Sequence, residues 1–247
     1  MNKLAISGIR IGALGAIAAL CTGCPNPNTY GTPRTTPAGK IQHSIAAEAW
    51  GYRGTDAETD NSFGTTLPTF PTYTLRVGVA DTVDIGARFS NFSSLGADVK
   101  WNFLKSDTFD MAIDPGFQLF YLSTSASSGN ADADTSLTVV YLNAPVMFGI
   151  NVSDSVSIVP TLGVTYGWAS ATVETSDADD SASSTDGLML RPGIGFNFRI
   201  GPRFALHPEI TFLKTLKGDD EDSVLMYMFG LGFNFGNLPS YGAGGAD

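Results

Sequence analysis

The chain has 247 residues, a formal net charge of −10 and a hydrophobic content of 43%. This length suffices for one domain with a sizeable core or lumen. The acidic balance and the lack of a basic patch exclude nucleic acid as an expected partner. Beyond the N-terminus, no apolar run approaches the roughly 18 residues that a membrane-spanning helix needs. If the chain crosses a membrane, it must do so with alternating strands.

The N-terminus predicts an export signal over residues 1–23. A positively charged start precedes an apolar stretch, residues 11–20, which is too short to span a membrane. Residues 22–24 resemble the end of a bacterial lipobox, which makes Cys24 a candidate for lipidation; the alternative is cleavage after the small residues of 16–18. At most one Cys survives processing, so the mature chain has no internal disulfide.

The composition of the following residues predicts the domain organisation. Residues 24–40 are rich in Pro, Thr and Asn, which indicates a lipid-anchor candidate followed by a flexible, extended tether. Residues 41–236 are predicted to form the folded domain, and residues 237–247 a flexible periplasmic tail.

The folded domain divides into ten segments in which apolar and polar residues alternate. In the clearest, Leu95, Val99 and Trp101 share one face while Asp98 and Lys100 share the other, as in a strand with one apolar face. Each segment supplies about the 9 to 11 residues that a transmembrane strand needs. The segments lie near 41–52, 70–80, 83–92, 95–105, 109–122, 136–151, 155–170, 187–200, 203–214 and 223–235.

The connections between these segments also alternate in length. Turns of two or three residues, as at 81–82 and 201–202, are interspersed with longer polar loops at 53–69, 123–135, 171–186 and 215–222. Bacterial barrels have short periplasmic turns and longer outer loops, so both termini are expected in the periplasm. The pattern predicts an all-β fold, a closed antiparallel up-and-down transmembrane β-barrel of about 10 strands, within a range of 8 to 12.

The last segment ends on an aromatic stripe close to the C-terminus. Gly230, Phe233 and Phe235 resemble the β-signal by which outer-membrane barrels are recognised for insertion. With the alternation of residues 41–235, this resembles the small outer-membrane β-barrel superfamily, the porin-like fold of eight- and ten-stranded proteins. The resemblance implies an integral barrel of the bacterial outer membrane, with outer-membrane lipids, lipopolysaccharide and the barrel-insertion machinery as partners. It does not identify a surface partner.

Charged residues fall on the face of the strands that is predicted to line the lumen. Opposite charges that pair would fill a narrow interior; the alternative is that the basic side chains line a passage for anions or small solutes. The predicted polar network comprises Arg76, Arg88, Asp98, Lys100, Asp110 and Asp114 on adjacent strands, and Arg191, Arg199, His207 and Glu209 across the barrel.

No catalytic, cofactor or metal site is predicted. His43 and His207, the two histidines, both fall near the predicted periplasmic end, whereas barrel enzymes such as the omptin proteases and lipid A deacylases use the outer rim or membrane face. Glycine pairs inside strands, as at 193–195, lack the following helix of a phosphate loop. The acidic loops lack the spacing of an EF-hand and give only weak candidates for a divalent cation, at Asp179, Asp180, Asp219, Asp220 and Asp222.

Three functions remain open on the sequence alone. The first is a non-catalytic outer-membrane barrel with acidic surface loops and a structural or surface-interaction role. The second is a narrow channel or carrier for small solutes. The third is a soluble periplasmic lipoprotein with a lipocalin-like barrel, in which the apolar faces point inward around an apolar ligand.

Overall fold

The computed structural model describes residues 26–53, 63–65, 71–90, 94–128, 131–175, 181–216 and 225–240. Within them every regular element is a strand. The strands are β1 (Ile41–Arg53), β2 (Phe63–Thr65), β3 (Thr72–Ala80), β4 (Val83–Ser90), β5 (Ser94–Lys105), β6 (Phe109–Ile113), β7 (Gly116–Ser128), β8 (Ala131–Ser153), β9 (Val156–Thr175), β10 (Ser181–Arg199), β11 (Phe204–Thr215) and β12 (Leu225–Gly236).

These strands close into a single antiparallel barrel with ten strand positions around its wall. Sequential strands pair with each other, and β12 pairs with β1 from Gln42↔Gly236 to Arg53↔Leu225, which leaves the main barrel without a free edge. One of the ten strand positions is shared by two shorter strands, β6 and β7. Both pair with β5 and β8, and Asp114 and Pro115 separate them. The short β2 lies beside the end of β1. The predicted ten-stranded barrel is therefore confirmed.

Burial alternates along the strands as the sequence pattern predicts. On β4, residues facing the lumen alternate with Ile85 and Phe89 on the exterior. Trp101 on β5 and Phe229 on β12 have 53% and 52% of their surface exposed on that exterior. A barrel with an apolar outer surface and a polar interior is the arrangement required in a lipid bilayer. It is opposite to the lipocalin-like arrangement, which would place these apolar faces inside.

The two ends of the barrel differ. The short connections at 81–82, 106–108, 154–155 and 200–203 lie at one end, together with the start of β1 and the end of β12; we call it the turn end, and the opposite end the loop end. At the loop end, residues 121–128 of β7 and 181–188 of β10 continue beyond the last pairs with β5 and β11. With β8 and β9 they form a four-stranded extension.

The extension differs from the loops predicted over 123–135 and 171–186. Residues 133–135 pair with both neighbours, residues 131–132 pair with β7, and residues 181–186 continue the β9–β10 ladder. The sequence analysis identified strands by their apolar face, which a strand needs inside a membrane but not beyond it. The extension is rich in Ser, Thr and Ala, and these residues still form antiparallel backbone pairs although neither face is strongly apolar.

Candidate functional site: the barrel lumen

One arginine organises the charges on the β3–β5 side of the lumen. Arg76 Nη2 lies 2.7 Å from an Asp84 oxygen and 3.1 Å from an Asp114 oxygen, and it also contacts Asp98. Lys100 Nζ lies 3.4 Å from Asp84. These groups are almost completely shielded from solvent, so their pairing offsets the cost of burying charge. The cluster contains four of the residues predicted for the network.

Asp84 is a member of this cluster that the sequence-based network omits. It faces the lumen, is fully buried and accepts hydrogen bonds from Arg76 and from a backbone N–H of residue 36. A signal was available, because Asp84 has the same strand parity as Arg88. Glu48 on β1 was omitted in the same way and is also buried.

The far wall of the lumen carries a second polar group. Arg191, His207 and Glu209 are all buried there, and His207 Nε2 lies 3.5 Å from a Glu209 oxygen. The predicted member Arg199 borders a small cavity together with Asn197 and Lys100. Its side chain lies at the turn end and donates hydrogen bonds to the carbonyls of Gly201, Pro202 and Pro239. Arg199 pairs with Ala205, next to the turn, so its side chain lies where the lumen opens.

Residues 26–38, which we call the lumen segment, run through the inside of the barrel and leave it at the exposed Ala38. This differs from the flexible tether predicted for residues 24–40. Almost every residue from Asn26 to Thr36 is buried, because polar groups of the lumen surround the segment. Asn and Thr side chains and a proline-rich backbone are as suitable for filling a polar lumen as for an exposed linker, and the sequence does not distinguish the two.

The two ends of the lumen segment lie at different depths. The backbone of Asn26 is held by Gln118 and Arg88, and its side-chain amide contacts Glu48, all toward the loop end. Thr35 and Thr36 bond to groups of the β3–β4 hairpin at the turn end. The segment therefore runs from the loop half of the lumen to the turn end, where the chain reverses into β1.

Glu209 contacts the centre of the lumen segment. Its carboxylate accepts hydrogen bonds from the backbone N–H groups of Thr29 at 2.9 Å and of Tyr30 at 2.6 Å, and from the Thr29 hydroxyl. A single buried carboxylate thus satisfies two consecutive backbone donors, which would be costly to bury alone.

Tyr30 packs against two glycines of β12, which leave space for it because they have no side chains. A Cβ at Gly232 would lie 2.8 Å from Tyr30 Cβ, and a Cβ at Gly230 would overlap the phenol. Gly230, predicted as part of the insertion signal, thus faces the lumen and contacts the lumen segment. Phe233 and Phe235 are on the exterior, where the Phe235 ring stacks on His43 with centroids 5.4 Å apart.

Asp110 joins the lumen segment to the turn end. It accepts a 2.8 Å hydrogen bond from Arg34 Nε and one of 2.7 Å from Asn151. Arg34 also donates to the Ser106 carbonyl. Asp110 was predicted as a lumen residue, but its partner is in the segment that was expected outside the barrel.

Several predicted sites lie outside the described residues: the lipidation candidate Cys24 and the cation candidates Asp179, Asp180, Asp219, Asp220 and Asp222. Among the residues that are described, no group of three or more His, Cys, Asp or Glu side chains is arranged to hold a metal ion. In the same part of the chain, no helix is long and apolar enough to cross a membrane.

A closed antiparallel barrel with an apolar exterior and a charged lumen defines a transmembrane β-barrel. Comparison with known families agrees: residues 44–235 match the outer membrane protein beta-barrel domain. The chain belongs to this family and is an integral barrel of the bacterial outer membrane. No curated protein matches the sequence.

Solved structures of outer-membrane barrels resemble the fold. The outer membrane protease OmpT from Escherichia coli is 9% identical with a TM-score of 0.52, over 85% of this chain and 100% of that one. Ail of Yersinia pestis, in complex with a heparin analogue, is 14% identical with a TM-score of 0.38, over 79% and 99%. OprG from Pseudomonas aeruginosa is 13% identical with a TM-score of 0.35, over 84% and 99%. At such identities the likeness to OmpT indicates a common fold and no common activity.

Proposed function

We propose that this protein is a closed, non-catalytic outer-membrane barrel that acts at the cell surface. The observation that carries the proposal is the lumen segment, because its residues from Asn26 to Thr36 are buried inside the described barrel and are expected to obstruct the passage of solutes. In the proposed orientation the turn end, with the start of β1 and the end of β12, faces the periplasm, and the loop end faces the outside. The short turns and longer loops support this orientation.

The extension of β7–β10 is the part that would meet a partner. The residues beyond the barrel body, 121–128 and 181–188, correspond to a rise of roughly 25 Å at about 3.3 Å per residue. In the described structure these outer residues of β7 pair with β8 alone, and residues 181–187 of β10 pair with β9 alone. The extension therefore presents two backbone edges as well as two faces.

The charge of the extension favours a basic partner. The sequence holds no Lys, Arg or His between Lys105 and Arg191. Exposed Asp134 and Glu174 lie directly opposite each other on β8 and β9. Like charges in this position repel unless a cationic group approaches them. A protein or peptide surface rich in Lys and Arg supplies such groups.

The positions of the two histidines support the absence of catalysis. His207 is buried three residues from the start of β11, and His43 stacks against Phe235 near the end of β12. Both lie toward the turn end, so neither can act as a general base at the loop end, where the proposed orientation would expose a substrate.

Conductance through planar lipid bilayers tests the closed lumen. The full-length protein, reconstituted in potassium chloride solution beside an open porin as positive control, is expected to give no stepwise current increases. Folded insertion is checked by comparing unheated and boiled samples on a denaturing gel. Sustained steps from folded protein would contradict the closed state and favour the narrow channel.

Binding of a lysine-rich peptide tests the surface role. In lipid nanodiscs, we expect salt-sensitive binding that weakens severalfold in the Asp134→Asn/Glu174→Gln double variant. Asp154→Asn is the matched control, because this exposed acidic residue lies in a short turn at the opposite end. Equal binding by the double variant and the parent protein would show that the extension is not the contact surface.

A further inference from the structure

Lumen side chains bond to the backbone of the lumen segment along its length. Four N–H groups of the lumen segment, at residues 26, 29, 30 and 36, donate to lumen side chains. Five of its carbonyls, at residues 26, 28, 30, 32 and 33, accept from Arg88, Gln118, Asn234, Lys100 and Asn102. Hydrogen bonding to successive backbone groups is how proteins bind peptides whose side chains contribute mainly specificity.

Two side chains of the lumen segment determine its register. Tyr30, which is 2% exposed, occupies the space left by Gly230 and Gly232. Arg34 pairs with Asp110 at 2.8 Å. The backbone turns at Tyr30, which has a φ of +48°. Shifting the segment by one residue would displace both anchors from their partners.

The lumen segment has the properties of a separable ligand. Pro27, Pro33 and Pro37 each fix the backbone φ at their own position even when the segment is free, which reduces the entropy lost on binding. Prolines also have no N–H that would need a partner in the lumen. An exposed reversal at residues 38–40, in which Gly39 has a φ of +71°, joins the segment to β1.

We propose that the lumen is a binding site for a proline-containing polypeptide, which residues 26–38 occupy in cis, and that vacating this site opens a passage through the barrel. The proposal goes beyond the surface role, since it concerns what the barrel can hold. Most contacts of the segment are polar and exchange for contacts with water when it leaves. The lumen side chains are themselves polar, so an empty lumen would fill with water.

Cutting the connection in the full-length protein tests the proposal. A site for a specific protease is inserted between Gly39 and Lys40, and the folded protein is cut in planar bilayers on the side of the turn end. We expect the uncut protein to be silent, stepwise conductance to appear after cutting and washing, and a synthetic peptide of residues 26–38 to abolish it. A fragment that remains bound after washing, detected by mass spectrometry, also supports the site.

Matched variants separate recognition from nonspecific block. A peptide with the same composition in scrambled order is expected not to block. Glu209→Gln in the barrel is expected to weaken the block at least about tenfold, because it removes a charged acceptor of two backbone N–H groups. Asp154→Asn, in an exposed turn outside the lumen, is expected to have no effect. If the cut fragment leaves and the peptide neither binds nor reduces conductance, the proposal is wrong, whether or not the uncut protein is silent.

Discussion

At the residue scale, Gly230 has two possible reasons to be glycine. It belongs to the predicted insertion signal, and it also lies under the Tyr30 ring. A double-mutant cycle distinguishes them. Gly230→Ala is expected to destabilise the folded barrel by about 1–3 kcal/mol, as overpacked sites do, and to have almost no further effect in a Tyr30→Ala background, where the phenol is absent. Thermal unfolding in detergent measures both.

Gly187→Ala is the control for that cycle, since its added Cβ would have its nearest neighbour at 3.9 Å. We expect little change in its unfolding temperature. If Gly230→Ala instead reduces assembly to the same extent with and without Tyr30, contact with the lumen segment does not explain the glycine, and the insertion signal does.

The residues of the lumen network were only partly predictable from the sequence. Strand parity indicates which side chains face inward, and Arg76, Lys100 and Glu209 are among the buried residues of the lumen. Parity does not give depth, so it did not show that Arg199 lies at the turn end, where it bonds to the Pro202 and Pro239 carbonyls. Asp84 had the right parity, but its central position depends on the register between β3 and β4, which no local pattern contains.

At the element scale, the extension of β7–β10 contains an unfavourable pair. Asp134 and Glu174 are directly opposite, so neutralising one of them is expected to stabilise the extension by roughly 0.2–1 kcal/mol. Asp134→Asn should therefore slow backbone hydrogen exchange over residues 134–138 and leave exchange in β11 and β12 unchanged. The Ser136→Asn variant, two residues further along β8, controls for the new amide. Faster exchange in Asp134→Asn than in the parent would show that the carboxylate stabilises the strand.

Prediction of the elements succeeded where the membrane constrains the sequence. Inside a bilayer every strand must present an apolar exterior, which produces the alternation of β4, β5 and β12. Beyond the bilayer β8–β10 are free of that constraint, and antiparallel pairing continues on Ser, Thr and Ala. A pattern based on hydrophobicity therefore ends the strands too early.

At the scale of the whole molecule, the sequence predicts a barrel but not what fills it. The lumen segment has no periodicity of its own, and its partners are distributed from β1 to β12. Its contacts with Glu209 and Asn234 join residues about 180 to 204 positions apart. Such contacts depend on closure of the barrel, which explains why composition alone indicated a tether.

Protection from trypsin discriminates between a filled lumen and a tether. Arg34 is 4% exposed, whereas Arg203 lies in an exposed turn. Cleavage requires local access and flexibility, so in the folded protein cutting after Arg34 should be much slower than cutting after Arg203, as followed by mass spectrometry. After boiling, both bonds should be cut readily. A tether outside the barrel requires rapid cleavage at Arg34 in the unheated sample, while the barrel itself remains intact.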